Sequence, residues 1–296
     1  MIDLHMHTNY SDGTDSLKKI LINAEEAKLE VISITDHNKC VVYSKMEKFN
    51  VNKFYKGNII VGCEFTTAFD NRLIEVLGYG FDYKKVEDYL NNFYMREKLY
   101  KDTNILYNRL VKKINSLGLK YNEKNIKKIK FSKKFFELKF YAELVKYPEN
   151  KEKLKEDVWK SFSDFYRKGL TNPDSKIFIN AAELKPQLKE IIDLVHEANG
   201  LIFLAHPYQY KLSDTEVFLE KIYNENNFDG VECFYTTNNS EQSKYLVDFA
   251  KKRNLLISGG SDYHGLNKKQ HELGIGKGNL RISKDIILNW NIKMYK

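Results

Sequence analysis

The stretch Ile2-Asp-Leu-His5-Met-His7-Thr8 sets the reading of the whole chain: a short apolar run leads straight into two histidines one residue apart. Side chains of an extended segment alternate between faces, so a one-residue gap puts His5 and His7 on the same side, where two imidazoles can grip one cation. The arrangement recurs along the sequence. Val31-Ile-Ser-Ile34 runs into Thr35-Asp-His37, Ile59-Ile-Val61 into Gly62-Cys-Glu64, and Leu201-Ile-Phe-Leu-Ala205 into His206-Pro207. Leu255-Leu-Ile257 runs into Ser258-Gly-Gly-Ser-Asp262-Tyr-His264. Five of the seven histidines (His5, His7, His37, His206 and His264) therefore stand at or just after strand ends. Between the runs lie helix signals: Asp15 is placed to cap a helix over 16–28, and 181–198 reads as a helix closed by Gly200. Strand followed by helix, repeated, predicts an α/β fold of parallel strands with right-handed crossovers, its functional groups at the carboxyl ends of the strands.

Carboxylates complete the pattern. Asp12 sits in a Ser-Asp-Gly turn, Glu64 offers two oxygens able to bridge two ions, and Asp262 precedes His264 by two residues. Mixed imidazole and carboxylate ligation suits Zn, Mn or Fe, and the lack of cysteine in the set argues against a structural zinc site. The remaining candidates have plainer readings. His196, in the last turn of its helix, is structural; His271, beside Lys268 and Lys269, reads as a surface residue with substrate contact as the alternative; Asp36 orients rather than ligates. Glu232 is a strand-end carboxylate with no assigned role, and Gly274-Ile-Gly-Lys-Gly278 lacks the strand and helix context of a dinucleotide fingerprint and reads as a turn.

The 296 residues carry 48 Lys+Arg against 40 Asp+Glu, a net charge of +8 that is unevenly spread. Residues 84–176 hold 24 Lys+Arg against 13 Asp+Glu, a net of +11, which leaves 24 against 27 for everything else. That segment reads as helical, with Leu99, Ile105, Leu106, Leu110, Val111 and Ile114 at helix spacing and Gly118 as the stop. The sequence thus divides into a barrel over 1–83 and 177–296 and a basic helical insertion over 84–176. The insertion's aromatics (Tyr94, Tyr100, Tyr107, Phe131, Phe135, Phe136 and Tyr141) recur at spacings that favour core over stacking platforms. Its charge is a solvated surface or a patch that steers a polyanion. The longest apolar run has five residues, so no bilayer span is expected, and Met1–Thr8 lacks the apolar stretch of a secretory signal. Cys40, Cys63 and Cys233 show no paired spacing, which points to reduced thiols and a cytoplasmic location.

Six motifs in order, His5-Met-His7-Thr8, Ser11-Asp-Gly-Thr14, Thr35-Asp-His37, Gly62-Cys-Glu64, Ala205-His-Pro207 and Gly260-Ser-Asp-Tyr-His264, resemble the PHP (polymerase and histidinol phosphatase) superfamily. The resemblance covers both flanks of the insertion. It is strongest to the stand-alone bacterial branch that includes nucleoside 3′,5′-bisphosphate phosphatases and short-RNA 5′ exonucleases. It implies a distorted (β/α)7 TIM-like barrel holding two or three divalent metal ions, Mn, Fe or Zn, and hydrolysis of phosphate esters. Carried over motif by motif, the implied ligands, through which catalysis would run, are His5, His7, Asp12, His37, Glu64, His206, Asp262 and His264. The chain departs from that branch twice: Glu75 stands where a metal-binding histidine is usual, and Gln209 where an arginine is usual, while Phe140-Tyr-Ala-Glu143 occupies the helix that carries His and Arg in relatives.

The implied reaction is attack on a phosphate ester by a hydroxide bridging two ions, with Glu64 between them and the water's pKa brought from 15.7 toward about 7. The expected partner is a phosphorylated small-molecule or short-oligonucleotide substrate, and no membrane partner is expected. Histidinol phosphate is the same-class alternative. A nucleic-acid-binding or regulatory module on a remnant barrel is the alternative of another class, and amide hydrolysis is disfavoured by the Thr35-Asp-His37 and Ser261-Asp-Tyr-His264 contexts.

Overall fold

The structure is a computed structural model that describes residues 1–130 and 136–296, so Phe131 and Phe135 lie outside the described residues. Seven strands form one sheet in chain order: β1 (Ile2–Asp3), β2 (Val31–Ile34), β3 (Asn58–Phe69), β4 (Arg72–Tyr79), β5 (Leu201–Leu204), β6 (Gly230–Tyr235) and β7 (Leu256–Gly260). The two edges meet. The N–H of Leu4 donates to the Gly259 carbonyl at 3.2 Å, that of Asp262 to His5 at 2.8 Å, and that of His7 to Tyr263 at 2.8 Å, bending the sheet into a nearly closed barrel. Outside it lie α1 (Leu17–Glu26), α2 (Val41–Met46) and α3 (Tyr83–Phe93); α4 (Arg96–Ser116), α5 (Glu123–Lys130), α6 (Phe136–Leu144) and α7 (Phe162–Asp164) follow. A π-turn over Phe165–Leu170 continues α7, and α8 (Leu188–Glu197), α9 (Thr215–Glu225) and α10 (Ser240–Lys252) complete the set.

The strand–helix alternation predicts parallel strands throughout, but the sheet is mixed. β4 runs antiparallel to both β3 and β5, because β3 extends to Phe69 and returns through a two-residue hairpin in which Asp70 and Asn71 both take positive φ, +50° and +57°. β4 is the strand absent from the sequence reading, and Glu232, read as a strand-end carboxylate, lies within β6. Two helix limits also differ. Ser16, not Asp15, caps α1, with its hydroxyl accepting from Lys19 N–H at 3.3 Å, while Asp15 accepts from the Tyr263 hydroxyl at 2.7 Å. The helix expected over 181–198 is broken at Pro186, which lacks an N–H and disfavours helical backbone before it. What remains is a 3₁₀ turn at Ala182–Leu184 and then α8, while the Pro186 carbonyl accepts from Ala68 N–H at 3.1 Å.

Burial follows the pleat. Ile32, Ile34, Ile59, Val61, Val76, Ile202, Leu204 and Val231 pack outward against α1, α2, α3, α8, α9 and α10 in one large core. Ile60, Leu77, Tyr79 and Phe203 join a second cluster with Trp290 of the C-terminal segment, whose ring lies 5.1 Å from Tyr79 and 4.7 Å from Phe203. Tyr79 pairs with Leu201 at the start of β5, so this aromatic plug fills the end of the barrel opposite the strand-end histidines.

The basic segment has its own core. Tyr107, Leu110, Ile114, Phe136, Phe140, Leu144, Trp159 and Phe165 form a separate buried cluster against which Tyr141 packs, whereas Val86 and Leu90 of α3 belong to the barrel core and Tyr94 packs on it. Gly118, at φ +61°, ends α4. Tyr100 is 59% exposed. Among the described residues no helix is long and apolar enough to cross a membrane, and all three cysteines are free and buried.

Candidate metal centre

The carboxyl ends of β1, β2, β5 and β7 deliver histidines to one end of the barrel, and the interiors of β3 and β4 deliver carboxylates. His5 and His7 continue β1 with the predicted alternation, their rings 5.2 Å apart. Glu64 lies within β3 rather than at its end, level with the end of β2 because it bridges to His37. The hairpin register sets Thr66 opposite Glu75 and Glu64 opposite Leu77, so Glu75 shares the inward face with Glu64 as its diagonal neighbour. Asp12 is held in its turn by Gly13, where a Cβ would come within 2.4 Å of the His7 carbonyl. His206 and Asp262 occupy the left-handed region at φ +27° and +52°, an uncommon backbone for either residue and one that concentrates at functional sites.

All eight predicted residues converge. Glu64 Oε2 lies 3.2 Å from His5 Nε2, 3.2 Å from His7 Nε2 and 3.3 Å from His37 Nδ1; its Oε1 lies 2.8 Å from His206 Nε2. Asp262 Oδ1 stands 3.5 Å from His5 Nε2 and 3.3 Å from His7 Nε2. Asp12 Oδ2 stands 3.2 Å from His264 Nε2 and 3.7 Å from His37 Nε2. Four overlapping groups of donors result: His5, His7, Glu64 and Asp262, all buried; His7, Asp12, His37 and His264; His5, His206 and Glu232; and His37, Glu64 and Glu75. Both ring nitrogens of His7, Nδ1 of His37 and Nε2 of His264 are buried with no hydrogen-bond partner among the described residues, although carboxylate oxygens stand within 4 Å. A buried polar atom left unmade costs about 1–3 kcal/mol. Unpartnered ring nitrogens set among carboxylates on both sides of His7 fit divalent cations, which would satisfy them.

The electrostatics agree. Burial alone lowers the His7 imidazole, but Asp262 and Glu64 beside it outweigh that and raise its pKa to about 9. His5 is likewise raised against its burial, by Glu232, Glu64 and Asp262. Burial favours the neutral acid at Glu64 and Asp262; the histidines, and for Asp262 also Lys268, overcome it and hold both carboxyls well below their usual range. The cluster is a sink for positive charge.

Several contributors escape the sequence reading. Glu232 Oε1 pairs with His5 Nδ1 at 2.8 Å, and its Oε2 accepts from His206 N–H at 2.8 Å, orienting two members of the cluster at once. Tyr235 donates its hydroxyl to Asp262 Oδ2 at 2.7 Å, and Lys268 Nζ approaches the same oxygen at 2.5 Å. His271, expected at the surface, is half-buried with Nδ1 3.3 Å from the Asp262 carbonyl, because the turn after β7 folds back over the site. Glu75 is tied to Arg167 at 2.7 Å. Asp36 and His196 lie outside the cluster as read: Asp36 accepts from Thr8 and Ser11, and His196 pairs with Asp229 at 2.8 Å. Gly274, Gly276 and Gly278 form a turn with positive φ at each. The cluster opens into a pocket of about 550 Å³ whose far wall comes from the insertion: Glu137, Phe162, Ser163, Tyr166 and Arg167.

A barrel with mixed imidazole and carboxylate donors gathered at one end defines the class, and comparison with known proteins gives the family. The PHP domain model matches residues 3–255, and the chain belongs to that family. The 5′-3′ exoribonucleases Rnm of Escherichia coli and Salmonella typhimurium are each 23% identical to it, over 270 and 273 residues, covering 88% of this chain and 84% of theirs. Among solved structures, a provisionally assigned metal-dependent phosphoesterase from Bifidobacterium adolescentis superposes with a TM-score of 0.62 at 19% identity, covering 97% of this chain and 93% of that one. An amidohydrolase from Chromobacterium violaceum, with bound sulfate and no metal, gives 0.64 at 16%, covering 92% and 89%. At these identities the likeness to solved structures is one of fold.

Proposed function

We propose that this PHP-family phosphoesterase hydrolyses phosphate esters of nucleotides or short oligonucleotides at a centre of two or three divalent ions, Mn, Fe or Zn. The ions would be held by His5, His7, Asp12, His37, Glu64, His206, Asp262 and His264. The observation that carries the reading is the convergence of seven of those side chains on two donor groups that share His7, with His206 set against Glu64 and buried ring nitrogens left unpartnered. Bound there, divalent ions supply Lewis acidity and a nucleophile drawn from water at neutral pH.

The chain's own residues do the rest. Glu64, with one oxygen toward His5, His7 and His37 and the other toward His206, joins the parts of the centre. Tyr235 and Lys268 fix Asp262 through its outer oxygen and leave the inner one facing His5 and His7. Lys268, with its pKa raised by Asp262 against the effect of burial, keeps a positive charge on the pocket wall to meet phosphoryl oxygens. Phe162 and Tyr166 line the opposite wall and supply aromatic surface suited to a nucleobase. Among the described cations of residues 84–176, Arg167 alone lines the pocket, while Lys112, Lys151, Lys153, Lys155 and Lys160 are exposed. The remaining insertion charge therefore acts at a distance, steering a polyanion toward the barrel over 1–83 and 177–296. The Rnm relatives are exoribonucleases by name, which favours nucleic-acid fragments over amino-alcohol phosphates.

The test is a phosphate-release screen with Mn across mononucleotides, nucleoside 3′,5′-bisphosphates, short 5′-phosphorylated RNAs, and sugar and amino-alcohol phosphates. Turnover of the nucleotide or RNA substrates supports the reading. Hydrolysis confined to histidinol phosphate overturns the substrate assignment, and no hydrolysis with Mn overturns the enzyme.

A further inference from the structure

The inner face of the barrel carries a third corner. Glu64 Oε1 lies 2.8 Å and Glu75 Oε2 3.8 Å from His206 Nε2, and Glu75 also falls within reach of one ion together with His37 and Glu64. Like Asp262 with its Lys268, this corner already holds a positive charge from the chain: Arg167 Nη2 pairs with Glu75 Oε2 at 2.7 Å. The atom involved decides the consequence. At Asp262 the cation Lys268 takes Oδ2 while Oδ1 faces the histidines, so the carboxylate can serve both. At Glu75 the oxygen nearest His206 is the one the guanidinium holds.

We propose that Arg167 stands in for a third cation, neutralising Glu75 so that the corner formed by Glu64, Glu75 and His206 binds no divalent ion, the centre holds two, and His206 serves as a hydrogen-bond partner of Glu64 in place of the ligand role given it above. The inference rests on the metal-dependent reading above. Both partners are largely out of solvent, with side-chain exposures of 18% for Arg167 and 15% for Glu75, so a buried carboxylate deprived of its partner demands another positive charge. Guanidinium does not give up its proton in proteins, so the corner is not vacated by titration. Arg167 is also held in place: its guanidinium carbon lies 5.6 Å from the Tyr166 ring and 5.8 Å from that of Tyr210, whose hydroxyl accepts from Glu75 N–H at 3.0 Å. Because Arg167 belongs to the π-turn after α7, the insertion as well as the barrel sets the ion count.

Elemental analysis of the full-length protein, loaded with Mn and desalted, reads the count directly. Wild type should carry two ions per chain, Arg167→Met three, and Glu75→Gln two. Circular dichroism checks folding of each variant, and the wild-type and Glu75→Gln counts decide the matter if Arg167→Met does not fold. Three ions in the wild type, an unchanged count in folded Arg167→Met, or a lower count in Glu75→Gln than in wild type would overturn the inference alone. A wild type that takes up no Mn would overturn it together with the metal-dependent reading beneath it.

Discussion

Glu232 Oε1 lies 2.8 Å from His5 Nδ1, in a setting where both side chains are fully buried. The bond fixes the imidazole so that Nε2 turns toward Glu64 and Asp262. Partners of this kind typically change metal affinity by about 10–100-fold when removed. Glu232→Gln keeps the size and loses the charge, and should weaken Mn binding within that range by competition with a chelator of known affinity. An unchanged affinity would leave Glu232 a structural residue only.

Removing a member of the donor group itself should cost more. Asp262→Ala takes away the oxygen that faces His5 and His7, and the predicted fall in turnover is on the order of 10²–10³ or greater, with the far-ultraviolet spectrum retained. Full activity in the folded variant would exclude a role for this carboxylate in the chemistry.

Metal should stabilise the fold. The unpartnered nitrogens of His7, His37 and His264 gain a partner only in the folded chain, so an ion binds the native state in preference to the unfolded one. At a free concentration one hundred times Kd that is worth about 2.7 kcal/mol. Differential scanning fluorimetry should show the midpoint rising with Mn and falling with EDTA; a midpoint indifferent to both would contradict the centre.

Asp164 ties the insertion to the barrel, accepting from Lys211 Nζ at 2.9 Å, and also lies 3.3 Å from Lys168. Burial raises its pKa, but Ser161, Lys211 and Lys168 outweigh it and bring the carboxyl down to about 2. A carboxyl whose folded pKa is depressed contributes stability that is complete above its unfolded value near 4 and is lost as pH falls through 2. Asp164→Asn should remove that part of the acid dependence, seen as a smaller loss of stability between pH 4 and 2 in urea titrations. Identical slopes for the two proteins would count against the contact.

The donors and their spacing were legible because they rest on local rules. His5 and His7 share a face through the alternation of one extended segment, and Gly118 ends α4 as its position predicts. The antiparallel return of β4 was not read, although Asp70-Asn71 offered a hairpin signal; apolar runs by themselves do not state direction. The break in the helix before α8 is local too, since Pro186 encodes it. For the pairing of Glu75 with Arg167, 92 residues apart, or of His5 with Glu232, 227 apart, no local signal exists.

By itself, then, the sequence determined which side chains have metal-ligating chemistry and that the histidines among them stand at or just after strand ends, since residue chemistry and the two-residue period of a strand travel with the chain. Only the tertiary structure decided which carboxylates are free to hold a cation. Whether a given oxygen faces a histidine or an arginine depends on strand direction, on the hairpin register that sets Glu75 beside Glu64, and on where a separately packed insertion comes down upon the barrel.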